Sequence, residues 1–96
     1  MENFNFNGKV IIEFYEDNCF NCQIMQPILK ELEVLFPDIR FYRVKTDIRR
    51  DLVNYYHITS LPTLVLLHNG QQLAEIVGSK SLSVLQREIN KILNYA

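Results

Sequence analysis

Cys19 and Cys22 are the side chains of this chain best suited to covalent chemistry, and the chain has no other cysteines. Residues 10–15 before them are mostly apolar and rich in strand formers, and residues 23–36 after them carry apolar side chains at helical spacing. The pair is therefore predicted at a strand-to-helix turn. A helix N-terminus stabilises a thiolate, which is the reactive form of cysteine. This position favours thiol–disulfide exchange.

The spacing of the two cysteines assigns them different roles in such an exchange. Two sulfurs three positions apart at a helix start lie within bonding reach. Cys19, at the exposed start of the helix, would attack a substrate disulfide, and Cys22, one turn on and more buried, would resolve the mixed disulfide. A pair without function is one alternative. Zinc is another, but the further ligands available are His57 and His68, whose spacing fits no finger or ribbon, so we expect no metal and no cofactor.

Composition narrows the class of protein. The chain has 96 residues, 48% of them hydrophobic, which predicts a single domain over residues 1–96 with a real core. A net charge of −1 with interspersed signs argues against binding nucleic acid or an anionic membrane. No apolar run approaches a membrane span, and the polar residues 1–8 do not resemble a signal peptide. We expect a cytoplasmic protein, where isolated cysteine pairs are more often catalytic than structural.

The hydrophobic pattern predicts an α/β fold of order β-α-β-α-β-β-α, with a central mixed four-stranded sheet and helices on both of its faces. Strands are expected at Lys9 to Tyr15, Ile39 to Lys45, Thr63 to His68 and Gln71 to Val77, and helices at Phe20 to Phe36, Ile48 to Tyr56 and after Ser81. Alternating strands and helices predict parallel pairing, whereas the Asn69-Gly70 hairpin makes the last strand antiparallel to the one before it. Asp47 is expected to cap the second helix, and Ser81 the last.

Two segments are less regular. The basic residues Arg40, Arg43 and Lys45 of the second strand would suit a sheet edge, because charge discourages further strand pairing. Residues 1–8 could form either a short edge strand or a loose arm.

Glu13 is the most informative charged residue, because it interrupts the apolar first strand. A carboxylate buried there costs several kcal/mol unless it is protonated or hydrogen-bonded, so burial should raise its pKa. A functional role is one interpretation. In the alternative, the strand register lets Glu13 reach solvent.

Five features in order resemble the thioredoxin family over almost the whole chain. They are Cys-Phe-Asn-Cys at a helix start, Pro27 five residues later, Leu61-Pro62-Thr63 opening the third strand, Asn69-Gly70, and Gly78 ending the fourth strand. The resemblance implies a thioredoxin-like fold, protein disulfide oxidoreductase activity and a cis peptide bond before Pro62. The family's usual tryptophan, Gly-Pro dipeptide and buried aspartate are replaced by Asn18, Phe20-Asn21 and Glu13. The chain also begins late relative to the family's first strand and helix, like a trimmed thioredoxin.

The resemblance also implies site residues and partners. Glu13 would lie beneath Cys22 and take its proton. Pro62, Leu61 and Gly78 would bind substrate, with the Leu61 backbone free for strand pairing. Phe20 would be an exposed apolar contact near Tyr15 and Leu61, unless it folds back onto its helix.

The expected function is the reduction of protein disulfides. Electrons would come from a thioredoxin-reductase-type or glutathione donor, and the protein would act as a monomer in cellular electron transport. A specialised redox partner of one target and a non-catalytic binding module are the alternatives.

Overall fold

The computed structural model describes residues 4–93 and has the predicted order of elements. The strands are β1 (Lys9–Tyr15), β2 (Arg40–Lys45), β3 (Thr63–His68) and β4 (Gln71–Val77), and the helices are α1 (Phe20–Leu35), α2 (Arg50–Tyr55) and α3 (Leu82–Ile92). None of the helices in this part of the chain is long and apolar enough to cross a membrane.

The four strands form one mixed sheet in the order β2-β1-β3-β4, which confirms the predicted fold class. β2 runs parallel to β1, and β4 is antiparallel to β3, as the Asn69-Gly70 turn predicts. The predicted parallel direction of β3 is wrong, because β3 is antiparallel to β1. The reason is that residues 46–62, which include only the short helix α2, do not return along the sheet. The chain leaves β2 after Lys45, beside Tyr15, and enters β3 at Thr63, beside Phe14, so both points lie at the same edge of the sheet.

The direction of β3 determines where the Leu61-Pro62 segment lies. β3 begins at Thr63, which pairs with Phe14 near the end of β1. Cys19 and Cys22 follow that same end of β1. The short α2 therefore brings Pro62 to the edge of the sheet at which the two cysteines lie.

Two hydrophobic clusters cover the sheet, one on each face. Ile11, Leu64 and Leu66 pack with α1 and α3 in the first cluster. Val10, Ile12, Phe14, Val65 and Leu67 pack with α2 in the second, which also holds Val44, Val53 and Tyr56. Since alternate residues of a strand face opposite sides, Glu13 lies on the same face as Ile11, beneath α1.

Several predicted element ends shift by one or two residues. α1 ends at Leu35, and β2 begins at Arg40 because the Ile39 N–H donates to the Phe36 carbonyl. Asp47 does not cap α2. The N–H groups of Ile48 and Arg49 both donate to the Lys45 carbonyl at 3.1 Å, so a turn separates Asp47 from the first helical residue, Arg50.

The prediction that Ser81 caps the last helix is confirmed, since its hydroxyl accepts a hydrogen bond from the Val84 N–H.

The predicted edge position of β2 is confirmed. Residues 4–7 form no strand beside it but lie against it: the rings of Phe4 and Phe6 pack on Tyr42, and Asn5 N–H donates to the Tyr42 hydroxyl at 2.8 Å. Arg40 donates to the Asn7 carbonyl at 2.9 Å. The N-terminal segment is therefore a packed arm over these residues, and residues 1–3 lie outside the described part.

Candidate active site

Cys19 and Cys22 form a disulfide at the start of α1. Cys19 is the N-cap residue of the helix, its backbone is extended, and its sulfur accepts a hydrogen bond from the Cys22 N–H at 3.1 Å. The two Cα atoms lie 5.2 Å apart. Cys19 is partly exposed, whereas only 2% of Cys22 is exposed. An accessible sulfur at a helix N-terminus next to a buried one is an arrangement that can carry out dithiol–disulfide exchange.

The loop between β1 and α1 that presents Cys19 is held by contacts on both of its sides. Thr46 is buried, and its hydroxyl donates to a Glu16 carboxylate oxygen at 2.6 Å while its N–H donates to the Tyr15 carbonyl. The Gln23 amide donates to the Asp17 carbonyl at 3.1 Å. These contacts fix the loop from β2 and from α1, so the disulfide sits on a rigid support.

Glu13 is buried, with 2% of the residue exposed, so the alternative in which it reaches solvent is wrong. One carboxylate oxygen, Oε1, accepts a hydrogen bond from Arg43 Nε at 2.7 Å. The other, Oε2, is buried without a hydrogen-bond partner in residues 4–93. Burial raises the pKa of Glu13 as predicted, and the hydrogen bond and charge of Arg43 act in the opposite direction.

Arg43 is the site residue that the sequence interpretation missed. The sequence predicts Arg43 only as a charge at a sheet edge, but its guanidinium reaches over the sheet to Glu13 and lies 3.9 Å from the centre of the Tyr15 ring. The signal that could have found it is the register, since Glu13 and Arg43 are direct partners in the parallel β1–β2 ladder. Opposite charges at paired positions of neighbouring strands attract.

The segment before β3 has the cis Leu61-Pro62 bond that the resemblance implied. Pro62 is buried, and its carbonyl accepts a hydrogen bond from the Gly78 N–H at 2.8 Å. Gly78 has a φ of 87°, which favours glycine. Leu61 packs partly against the second cluster, and its backbone makes no hydrogen bond within the described residues. The accessible part of this segment is therefore Leu61 rather than the Pro62 ring.

Phe20 projects into solvent with 74% of its surface exposed, so the alternative in which it folds back onto the helix is wrong. Ile24, one turn along α1, is 42% exposed. Tyr15 contributes less to an apolar surface than expected, because the Arg43 guanidinium covers its ring. The exposed apolar surface beside the disulfide is thus carried by Phe20 and Ile24.

The two histidines lie apart from each other in the fold, at the ends of different elements. His57 follows α2 with a φ of 55°, and His68 is exposed at the end of β3. Within residues 4–93, no group of three or more His, Cys, Asp or Glu side chains is placed to hold a metal ion.

Known proteins share this sequence pattern and fold. The thioredoxin family model matches residues 2–91. Thioredoxin of Chlamydia pneumoniae is 30% identical over 90 residues, covering 94% of this chain and 88% of that protein. Mitochondrial thioredoxin-3 of Saccharomyces cerevisiae is 37% identical over 73 residues, 76% of this chain, and the chain spans 58% of that relative's length. The crystal structure of the oxidised yeast protein superposes with a TM-score of 0.83 at 34% identity, covering 88% of this chain and 79% of that one.

Proposed function

Because the chain belongs to the thioredoxin family and is a thiol–disulfide oxidoreductase, we propose that it reduces disulfides in protein substrates through Cys19 and Cys22. The observation that carries this proposal is the position of the pair. Cys19 is the partly exposed N-cap of α1, and Cys22 is buried directly behind it. Thioredoxins act on protein disulfides and are themselves reduced by reductase-type donors.

In the first step the Cys19 thiolate attacks one sulfur of the substrate disulfide. The substrate S–S bond breaks, a mixed disulfide forms at Cys19, and the second substrate sulfur leaves as a thiolate. The N–H of Cys22, which lies 3.1 Å from the Cys19 sulfur, supports this step because it can donate to the thiolate. The aligned peptide dipoles of α1 act in the same direction.

In the second step Cys22 loses its proton and attacks the Cys19 sulfur. The mixed disulfide breaks, the substrate leaves as a dithiol, and the enzyme holds the Cys19–Cys22 disulfide. We assign Glu13 as the group that accepts the Cys22 proton. Its burial, its raised pKa and its position beneath α1 support this role.

The substrate chain would lie along the Leu61-Pro62 segment. The unpaired backbone of Leu61 can hydrogen-bond with an extended substrate segment, as in strand addition. The Gly78 N–H holds the Pro62 carbonyl, which keeps the segment fixed. Phe20, the exposed residue next to Cys19, would contact an apolar side chain of the substrate.

The electron donor is proposed to be a thioredoxin-reductase-type protein or glutathione, and the protein is proposed to work in the cytoplasm as a monomer. Both cysteines of the chain lie in the exchange site, which leaves none for a structural disulfide, and this is usual for proteins of a reducing compartment. β2 is an edge strand that carries the basic side chains of Arg40, Arg43 and Lys45, and the arm of residues 4–7 lies against it. Both features oppose strand pairing of two copies and support a monomer.

Reduction of insulin by dithiothreitol tests the proposal. We expect the wild-type protein to accelerate the reaction and Cys19→Ser to abolish it. Cys22→Ser is the matched control, because it keeps the attacking thiol and should accumulate a mixed disulfide with the substrate. Turnover by Cys19→Ser, or no turnover by the wild type, would refute the proposal.

A further inference from the structure

Two adjoining cavities lie along the seam between α1 and β2, one at each end of the proposed proton transfer. The first has a volume of about 60 Å³ and is lined by Glu13. The second, of about 340 Å³, is lined by Cys22. Only Gln26 and Arg43 line both cavities within the described residues. These two side chains therefore lie where the cavity at Cys22 adjoins the cavity at Glu13.

Gln26 and Arg43 differ in what they can do at this junction. Arg43 donates to Glu13 Oε1 and stacks on Tyr15, and a guanidinium has no acceptor atom. Gln26 follows Cys22 by one turn on the same face of α1 and is half-buried. Its amide makes no hydrogen bond to another residue of the 4–93 segment and offers both donors and an acceptor.

The free oxygen of Glu13 and this amide make no direct hydrogen bond, but a water molecule can join them. Oε2 is buried and unpaired, and a buried carboxylate oxygen without a hydrogen bond costs free energy. A cavity of about 60 Å³ has room for a water molecule, and Oε2 with the Gln26 amide supplies polar partners for one. A water held there would link Oε2 to the cavity that Cys22 lines.

We propose that Gln26 is a positioning residue for the second step, and that its amide holds a water between Glu13 Oε2 and Cys22. This inference rests on the proposed function. As the Cys22 sulfur attacks the Cys19 sulfur, the Cys22 proton passes to this water while the water passes a proton to Oε2. When a donor reduces the disulfide, the transfer runs in reverse and returns a proton to the leaving Cys22 thiolate.

Other charged or titratable side chains line the two cavities. Arg43 from β2, with Lys30 and Glu33 from α1, lines the cavity at Glu13. Glu16 and Asp17 of the loop before α1, together with Tyr15 and Arg43, line the cavity at Cys22. Gln26 is neutral, so replacing it leaves these charges in place and tests the hydrogen bonds alone.

Gln26→Met removes the amide at nearly constant length and helix propensity. Gln86→Met on α3 is the matched control, because Gln86 is also a half-buried helical glutamine and lines neither of the two cavities. The reduced proteins would be mixed with the chromogenic aromatic disulfide DTNB in a stopped-flow instrument. A first thiolate is released when Cys19 attacks and a second when Cys22 resolves the mixed disulfide, so the two steps are read separately.

We expect Gln26→Met to slow the second release about tenfold and to shift its rise to higher pH, with the first release unchanged. Gln86→Met should match the wild type in both releases. In a Glu13→Gln background, Gln26→Met should slow the second release no further, because both residues serve one transfer.

An unchanged second release in Gln26→Met, an equal effect of Gln86→Met, or additive effects with Glu13→Gln would overturn the inference. The proposed function would survive each of these results. It fails instead if the wild type shows no second release and does not reduce insulin. Unfolding of each variant in urea checks that it is folded before its rates are compared.

Discussion

Replacing Arg43 by methionine should destabilise the protein in a strongly pH-dependent way. Arg43 Nε lies 2.7 Å from Glu13 Oε1, and the Glu13 side chain is 3% exposed. Without Arg43, Glu13 would be a buried carboxylate in which neither oxygen accepts a hydrogen bond. Such a carboxyl becomes protonated rather than remain charged. The free energy needed for that protonation sets the cost of the substitution.

The structure sets a ceiling on this cost. Protonating a carboxyl requires about 1.36 kcal/mol for each unit by which the pH exceeds its pKa in the unfolded chain. From the ordinary glutamate value of 4.5, the ceiling at pH 7 is about 3.4 kcal/mol. The wild-type protein already includes part of this free-energy cost, because burial raises the pKa of Glu13 more than the hydrogen bond and charge of Arg43 lower it. The electrostatic loss in Arg43→Met is therefore smaller than this ceiling.

The pH dependence follows from the sign of the shift. Since the folded state raises the pKa of Glu13, the stability linked to its protonated form is fully present below pH 4.5 and is lost as the pH rises through the folded value. Arg43→Met raises that folded value further. Its destabilisation should thus be largest at pH 8 and small at pH 4.

Urea unfolding of four proteins measures this effect: wild type, Arg43→Met, Glu13→Gln and the double variant, each from pH 4 to pH 8. In the Glu13→Gln background, Arg43→Met should lose its pH-dependent cost, because no carboxylate remains to be left unpaired. A cost of Arg43→Met that is the same at pH 4 and pH 8, or a pH-dependent cost that persists in the Glu13→Gln background, would refute this reasoning.

Three further predictions concern single contacts. Ser81→Ala removes the cap of α3 and should lower the unfolding free energy by about 1 kcal/mol, seen as a Tm lower by about 4–8 °C; an unchanged Tm would contradict the cap. Leu85→Ala empties a fully buried site and should cost about 2–5 kcal/mol in urea unfolding, whereas Val34→Ala, at a residue 79% exposed, should change it by less than about 0.5 kcal/mol. Phe20→Ser should raise the KM for insulin several-fold and leave the rate with DTNB unchanged, and equal effects on both substrates would remove Phe20 from protein docking.

The order of the elements could be predicted because the hydrophobic period is a local property of the chain. Apolar runs and helical spacing placed β1, β3, β4 and α1 to within about a residue at each end. The direction of β3 could not be predicted in this way, because it depends on the edge of the sheet at which the chain re-enters. Alternation of strands and helices favours a crossover to the opposite edge, whereas residues 46–62 return at the edge where β2 ends.

The candidate site was predictable where it depends on neighbours in sequence. Cys19 and Cys22 lie at the start of α1, and their spacing alone places the sulfurs within reach of each other. The contacts between strands were not predictable. Arg43 belongs to the site only because the β1–β2 register sets it opposite Glu13. Local sequence patterns do not determine that register. The position of Gln26 between two cavities likewise depends on the packing of α1 against the sheet, which the sequence does not show.

The reduction potential of the Cys19–Cys22 pair tests the proposed direction of the reaction most directly. The protein would be equilibrated in a series of dithiothreitol buffers of defined potential, and the fraction of disulfide measured by thiol alkylation and mass spectrometry. For a reductase we expect a potential near that of thioredoxin itself, about −270 mV. A potential near about −120 mV, as in strong periplasmic oxidants, would contradict it and make this protein a donor of disulfides.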